Sequence, residues 1–147
     1  MHRIRLSRME QADDQTPGLG ALLRRHGEVW FGHCCLGNRS DIEIEVSGND
    51  AAPSVSHLKY AAECVTRLPQ LLPDLEASLN AVKEDHPLFP TRQRRRWYLE
   101  GLSFTGTDAY RGEARFTLEE AGYDYVYVLY CVEIVDGRVG DVHAHTY

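Results

Sequence analysis

The sequence predicts an α+β fold: an antiparallel sheet of about five to seven strands with both helices packed on one face. Three observations lead there. Residues 28–46 read as a β-hairpin, residues 54–82 as two amphipathic helices, and residues 97–146 as a meander of strands joined by turns. Helices and strands are segregated along the chain, the order of an α+β domain rather than of a parallel α/β one. At 147 residues the chain is long enough to bury a core without disulfide or metal support.

Each element has its own signal. Residues 1–18 are polar and end in Thr16-Pro17-Gly18, a flexible arm ahead of a single domain over 19–147. Leu19–His26 fits either a strand or one helical turn. Glu28–Leu36 is rich in strand formers, Gly37-Asn38-Arg39-Ser40 is turn chemistry, and Asp41–Val46 alternates strictly. Ser54 or Ser56 can cap a helix to about Leu68, with Val55, Leu58, Ala62, Val65 and Leu68 at helical spacing. Leu71, Leu72, Leu75, Leu79 and Val82 continue a second stripe. Two helices should meet at Pro69, with Pro73 in the first turn of the second, where a missing N–H costs little.

After the loop His86–Pro90 and the basic run Arg92–Arg96, strands are expected at Trp97–Phe104, Glu113–Glu119, Tyr123–Val135 and Arg138–Thr146. Asp136-Gly137 is a strong two-residue hairpin signal. Tyr123–Val135 is apolar on both faces and should be central. Ile42, Ile44, Leu58, Val65, Leu75, Leu79, Phe116 and Leu118 are the expected core.

Charge and motifs narrow the function. Sixteen Lys and Arg against 22 Asp and Glu leave a net charge of −6, which argues against a general nucleic-acid or anionic-membrane binder. No apolar run approaches a membrane span, and the start lacks the apolar region of a signal peptide, so the cytoplasm is the expected location. No nucleophile elbow, zincin, P-loop or dinucleotide-binding motif occurs. Cys34, Cys35, Cys64 and Cys131 form no C-x-x-C pair, and mostly buried free thiols are expected.

Four groups remain as candidates. Asp141, His143 and His145 share one face of the last strand, and two imidazoles so spaced can hold one metal ion, zinc above all. A plain two-residue hairpin loop would set Tyr130 opposite His143 and Val128 opposite His145. A third ligand would then come from His33, Cys34 or Glu100. The competing reading is a charged edge strand that discourages unwanted pairing, with no resident cofactor. Asp41, Glu43 and Glu45 form an acidic ladder whose carboxylates project from one side, suited to a basic partner; replacing all three by Gln should then hardly change stability. Arg92, Arg94, Arg95 and Arg96 beside Trp97 and Tyr98 form either a solvated loop or a stacking clamp for nucleic acid, and the acidic balance favours the loop. Tyr125 and Tyr127 are recognition candidates if their sheet face is uncovered.

Leu19-Gly20, Trp30-Phe31-Gly32, Asp41–Val46, the helical pair and a Tyr-rich meander ending in Val135-Asp136-Gly137-Arg138 form a pattern over residues 19–145. In this pattern the chain resembles small bacterial domains of unknown function, some of which are immunity proteins of toxin systems. The resemblance implies a small cytosolic binding protein and transfers no catalytic residue. The leading expectation is thus a non-enzymatic protein-binding domain of the immunity type. The alternatives are a small metal-dependent enzyme using Asp141, His143 and His145, and a small-molecule-binding module. An exposed edge strand or sheet face would also be the surface for a homodimer.

Overall fold

The computed structural model describes residues 24–83, 85–119 and 128–146; the arm over 1–18, Tyr125 and Tyr127 lie outside them. Three strands come first, β1 (Arg24–His26), β2 (Val29–Leu36) and β3 (Arg39–Ser47). Two helices follow, α1 (Val55–Thr66) and α2 (Leu68–Asn80). The chain then runs through β4 (Trp97–Phe104), β5 (Arg111–Leu118), β6 (Val128–Val135) and β7 (Arg138–Thr146). The seven strands form one sheet in sequence order, an α+β architecture. Among the described residues no helix is long and apolar enough to cross a membrane.

One junction departs from the expected all-antiparallel sheet. β3 and β4 run parallel, with Glu43 beside Gly101 and Glu45 beside Ser103. The helical pair between them is long enough to permit this. A tight turn reverses a strand, whereas a long crossover can carry the chain back to the end of the sheet where the strand began. β6 is paired on both sides, but the middle strand of the seven is β4.

Alternation assigns the two faces. Ile44, Leu102, Ala114, Val132 and Val142 form one row across the strands, all buried or half-buried beneath the helices. α1 packs over β3 and β4, and α2 over β6 and β7. The Tyr60 hydroxyl donates to the Ile134 carbonyl at 2.8 Å and accepts from the Gly137 N–H at 3.0 Å, fastening α1 to the β6–β7 hairpin. Asp136 and Gly137 both have positive φ, as the twist of a two-residue hairpin demands.

Ser54 caps α1: its hydroxyl accepts from the His57 N–H. His57 Nε2 contacts the Gly106 carbonyl at 2.7 Å. A carbonyl only accepts, so Nε2 carries a proton, and Nδ1 lies 2.8 Å from the Ser54 hydroxyl. Val55, expected on the apolar stripe, is 80% exposed, because it stands beside the cap before the helix reaches the sheet. Pro69, not Pro73, occupies the first turn of α2; Pro73 lies inside the helix on its exposed side.

The basic run also holds a structural residue. Arg95 is buried, donating through Nη1 to the carbonyls of Leu79 and Asn80 and through Nε to that of Pro90. It satisfies carbonyls at the end of α2 that have no partner within the helix, where a cation also meets the negative end of the helix dipole. Trp97 is buried with its Nε1–H on the Asn80 side chain, and it faces away from Tyr98, so the two rings form no clamp.

Of the expected core, Ile42, Ile44, Val65, Leu75, Leu79 and Phe116 are buried, while Leu58 and Leu118 pack against it half-covered. Leu75 is completely buried in α2. Leu75→Ala should therefore cost about 2–5 kcal/mol in urea unfolding. A loss below about 0.5 kcal/mol, as at surface sites, would put Leu75 outside the core.

Candidate functional site

The face without helices carries the polar chemistry. His33, Glu43, Gly101, Arg115, Cys131 and His143 form one continuous row of neighbours from β2 to β7. Around it stand Asp41, Glu45, Glu100, Glu113, Glu133 and Asp141, with Arg39 and Arg111 as further cations. Carboxylates thus outnumber guanidinium groups on this face.

Arg115 is the centre of the arrangement. It starts on β5, crosses β4 and reaches β3, where Nη1 donates to Glu45 at 2.9 Å and Nη2 to Glu43 at 3.1 Å. Gly101 makes the crossing possible. A Cβ there would lie 2.6 Å from Arg115 Nη2 and 2.6 Å from the Glu43 carbonyl, closer than either atom allows. Ser103 donates to the other oxygen of Glu45 at 3.0 Å. Burial pushes the Glu45 carboxyl above the usual carboxylate range; the Glu43 carboxylate adds to that shift, and Arg115 and Ser103 oppose it without cancelling it. The two carboxylates in turn hold the Arg115 guanidinium charged, despite its burial.

The acidic ladder therefore projects from one side, as alternation requires, but it is not simply solvated. The Arg115 and Glu45 side chains are only 18% and 19% exposed, and Glu43 is 44% exposed. Removing Glu43 and Glu45 strands a half-buried arginine, so the expectation that a triple Gln replacement is nearly neutral is corrected. Asp41 is held on its own: Arg39 Nε donates to it at 3.0 Å and the Tyr98 hydroxyl at 2.9 Å. These contacts lower its pKa, and the Arg39 guanidinium stacks 3.9 Å over the Tyr98 ring.

At the far edge, β7 presents the histidines in a shifted register. Val135 pairs with Arg138 and Ile134 with Val139, but Val132 pairs with Val142, so Gly140 and Asp141 together oppose Glu133. This bulge moves the pairing by one residue. Cys131, not Tyr130, stands opposite His143, and Leu129, not Val128, opposite His145. The ligand atoms of Cys131, His143 and His145 lie within 4.8 Å of one another, and Asp141 is outside that group. The two imidazoles stack with centroids 5.6 Å apart, and Glu113 Oε2 is 3.4 Å from His143 Nε2. The anticipated third ligands are elsewhere: Cys34 is buried on the helix side, His33 is across the sheet, and Glu100 accepts from Thr117 at 2.8 Å. Tyr130 points into the core, its hydroxyl donating to the Leu88 carbonyl. Cys131 was missed as a candidate because only the bulge brings it to the histidines.

No family model, curated protein or solved structure significantly matches this chain.

All four cysteines are free, and only Cys35 is exposed. Burial pushes the thiols of Cys34 and Cys131 up to about 12 and that of Cys64 up to about 11. Since the thiolate is the reactive form, alkylation of the native protein should label Cys35 well before the other three by mass spectrometry. Equal labelling of all four in the folded state would contradict the burial described here. A groove of about 540 Å³ between α2 and the start of β7, lined by Arg67, Leu71, Asp74 and Arg138 among others, is where a small-molecule module would hold its ligand.

The Arg115 arrangement generates a pH-dependent prediction. A carboxyl with a higher pKa in the folded than in the unfolded chain binds its proton more tightly when folded. Stability then falls as pH rises from the ordinary glutamate value through the raised one. Arg115→Met removes the opposing cation, so it should raise the Glu45 pKa further and deepen that fall. We expect a loss of about 2–3 kcal/mol at pH 7, shrinking as pH drops through the carboxylate range. Denaturant titrations at several pH values check this, and a loss independent of pH would contradict it.

Proposed function

We propose that this protein is a non-enzymatic binding module that docks a basic protein partner on the helix-free face of its sheet. The observation that carries the reading is the excess of carboxylates over guanidinium groups on that face. Several are held close to one another by the fold: Glu113 is directly opposite Glu133, and Glu43 and Glu45 share one guanidinium. Like charges in such positions cost the isolated fold some stability, and a cationic partner relieves that cost on binding. Regular strands, rather than loops, hold these carboxylates, so little ordering is required on association.

The specific form we favour is an inhibitor of the immunity type, which would cover a basic active surface on a toxin or effector. Its support is the resemblance in sequence pattern together with the acidic face. Negative potential spread over such a face speeds encounter with a cationic partner and is screened by salt.

Stopped-flow association with a deca-lysine peptide tests the docking surface. The Asp41→Asn, Glu43→Gln double variant removes two carboxylates yet leaves Glu45 to hold Arg115. It should associate several-fold more slowly than wild type at low salt, with a shallower salt dependence. The Glu63→Gln, Asp74→Asn double variant, on the exposed sides of the helices, is the control. Equal losses in both variants would assign the effect to net charge and overturn the proposed surface.

A further inference from the structure

We propose that Cys131, His143 and His145 form a binding site for a divalent transition-metal ion of the zinc type, with Glu113 supporting it. The site lies at the β5–β7 end of the helix-free face and does not depend on the docking reading. Its ligand atoms lie within 4.8 Å of one another. Zinc holds thiolate sulfur at about 2.3 Å and imidazole nitrogen at about 2.0–2.1 Å, so tetrahedral ligands stand about 3.4–3.6 Å apart. The widest of these separations would close by about an ångström on binding.

The backbone fixes the arrangement. Cys131 and His143 are direct cross-strand partners, and His145 is the next residue of β7 on the same face. The bulge at Gly140 and Asp141 creates this pairing; with the regular hairpin register, tyrosine would face His143. Gly140 is tightly fitted, since an added Cβ would lie 3.3 Å from that of Glu133. Bulges re-aim side chains, and here the shift brings a sulfur to two imidazoles that stack with their rings 20° from parallel.

The donor set suits the ion. One thiolate and two imidazoles are borderline-soft ligands, which favour zinc over magnesium or calcium. Glu113 reaches His143 Nε2 at 3.4 Å from the neighbouring strand, where it can orient the ring, as carboxylates commonly do beside metal-binding histidines. Glu133, opposite Glu113, adds negative charge for an incoming cation. Binding replaces the Cys131 S–H bond with a sulfur–metal bond and releases one proton to solvent; no electron moves.

Cobalt(II) is the probe, because thiolate ligation gives it a charge-transfer band that imidazole or carboxylate ligation alone does not. The full-length protein should bind one cobalt with that band, and added zinc should displace it. Cys131→Ser should abolish the band, with circular dichroism confirming the fold. The His143→Gln, His145→Gln double variant lies on the more exposed strand and should weaken binding by at least about 10–100-fold. Cobalt binding without a thiolate band would overturn the site, as would wild-type affinity in the double histidine variant.

Discussion

One arginine spans the junction between the two halves of this sheet. β1 to β3 form an antiparallel unit, as do β4 to β7, and the two meet only along the parallel β3–β4 pair. Arg115 lies over that pair from the helix-free side, tying Glu43 and Glu45 of β3 to β5 across partners 72 and 70 residues away in sequence. The crossing requires that β4 have no side chain at Gly101. A small change there would therefore alter an interaction carried entirely by other residues.

The same geometry explains how the two faces divide the work. The crossover places both helices on one side, and the pleat sends every second residue to the other. Ile42, Ile44 and Val46 are fully buried, while Asp41, Glu43 and Glu45 face away. Arg95 and Trp97 fasten the return from α2 into β4, so the strand that carries Gly101 enters the sheet in a set position. At the other edge, a single extra residue in β7 decides which side chains meet the histidines. The proposed docking surface and the proposed metal site thus lie on one face and share Glu113 and Glu133.

Much of the fold was legible because it rests on local pattern. The alternation of Asp41–Val46, the limits of Trp97–Phe104 and Arg138–Thr146, and the turn at Asp136-Gly137 all follow from neighbouring residues. The parallel junction was not legible from the order of elements, since a hairpin, a helical pair and a meander can join in either sense. The partners of Arg115 lie far away in sequence, and nothing near it marks it off from a solvated arginine on an alternating strand. Gly101 was the available signal: a glycine inside a strand often marks close approach by another group. Arg95 was concealed among its basic neighbours, and Cys131 by a bulge that hairpin turn chemistry does not announce.

The placement of Arg115 is the central physical claim, and its guanidinium can be observed directly. In ¹H–¹⁵N spectra, an arginine held between two carboxylates and largely covered should show N–H protons that exchange slowly with water, unlike those of the exposed Arg111 and Arg138. In Gly101→Ala, where the added methyl collides with the crossing, those slow signals should disappear while the amide signals of the β6–β7 hairpin stay in place. Arg115 signals that exchange as fast as those of surface arginines in the wild type, or that are unchanged in Gly101→Ala, would contradict it.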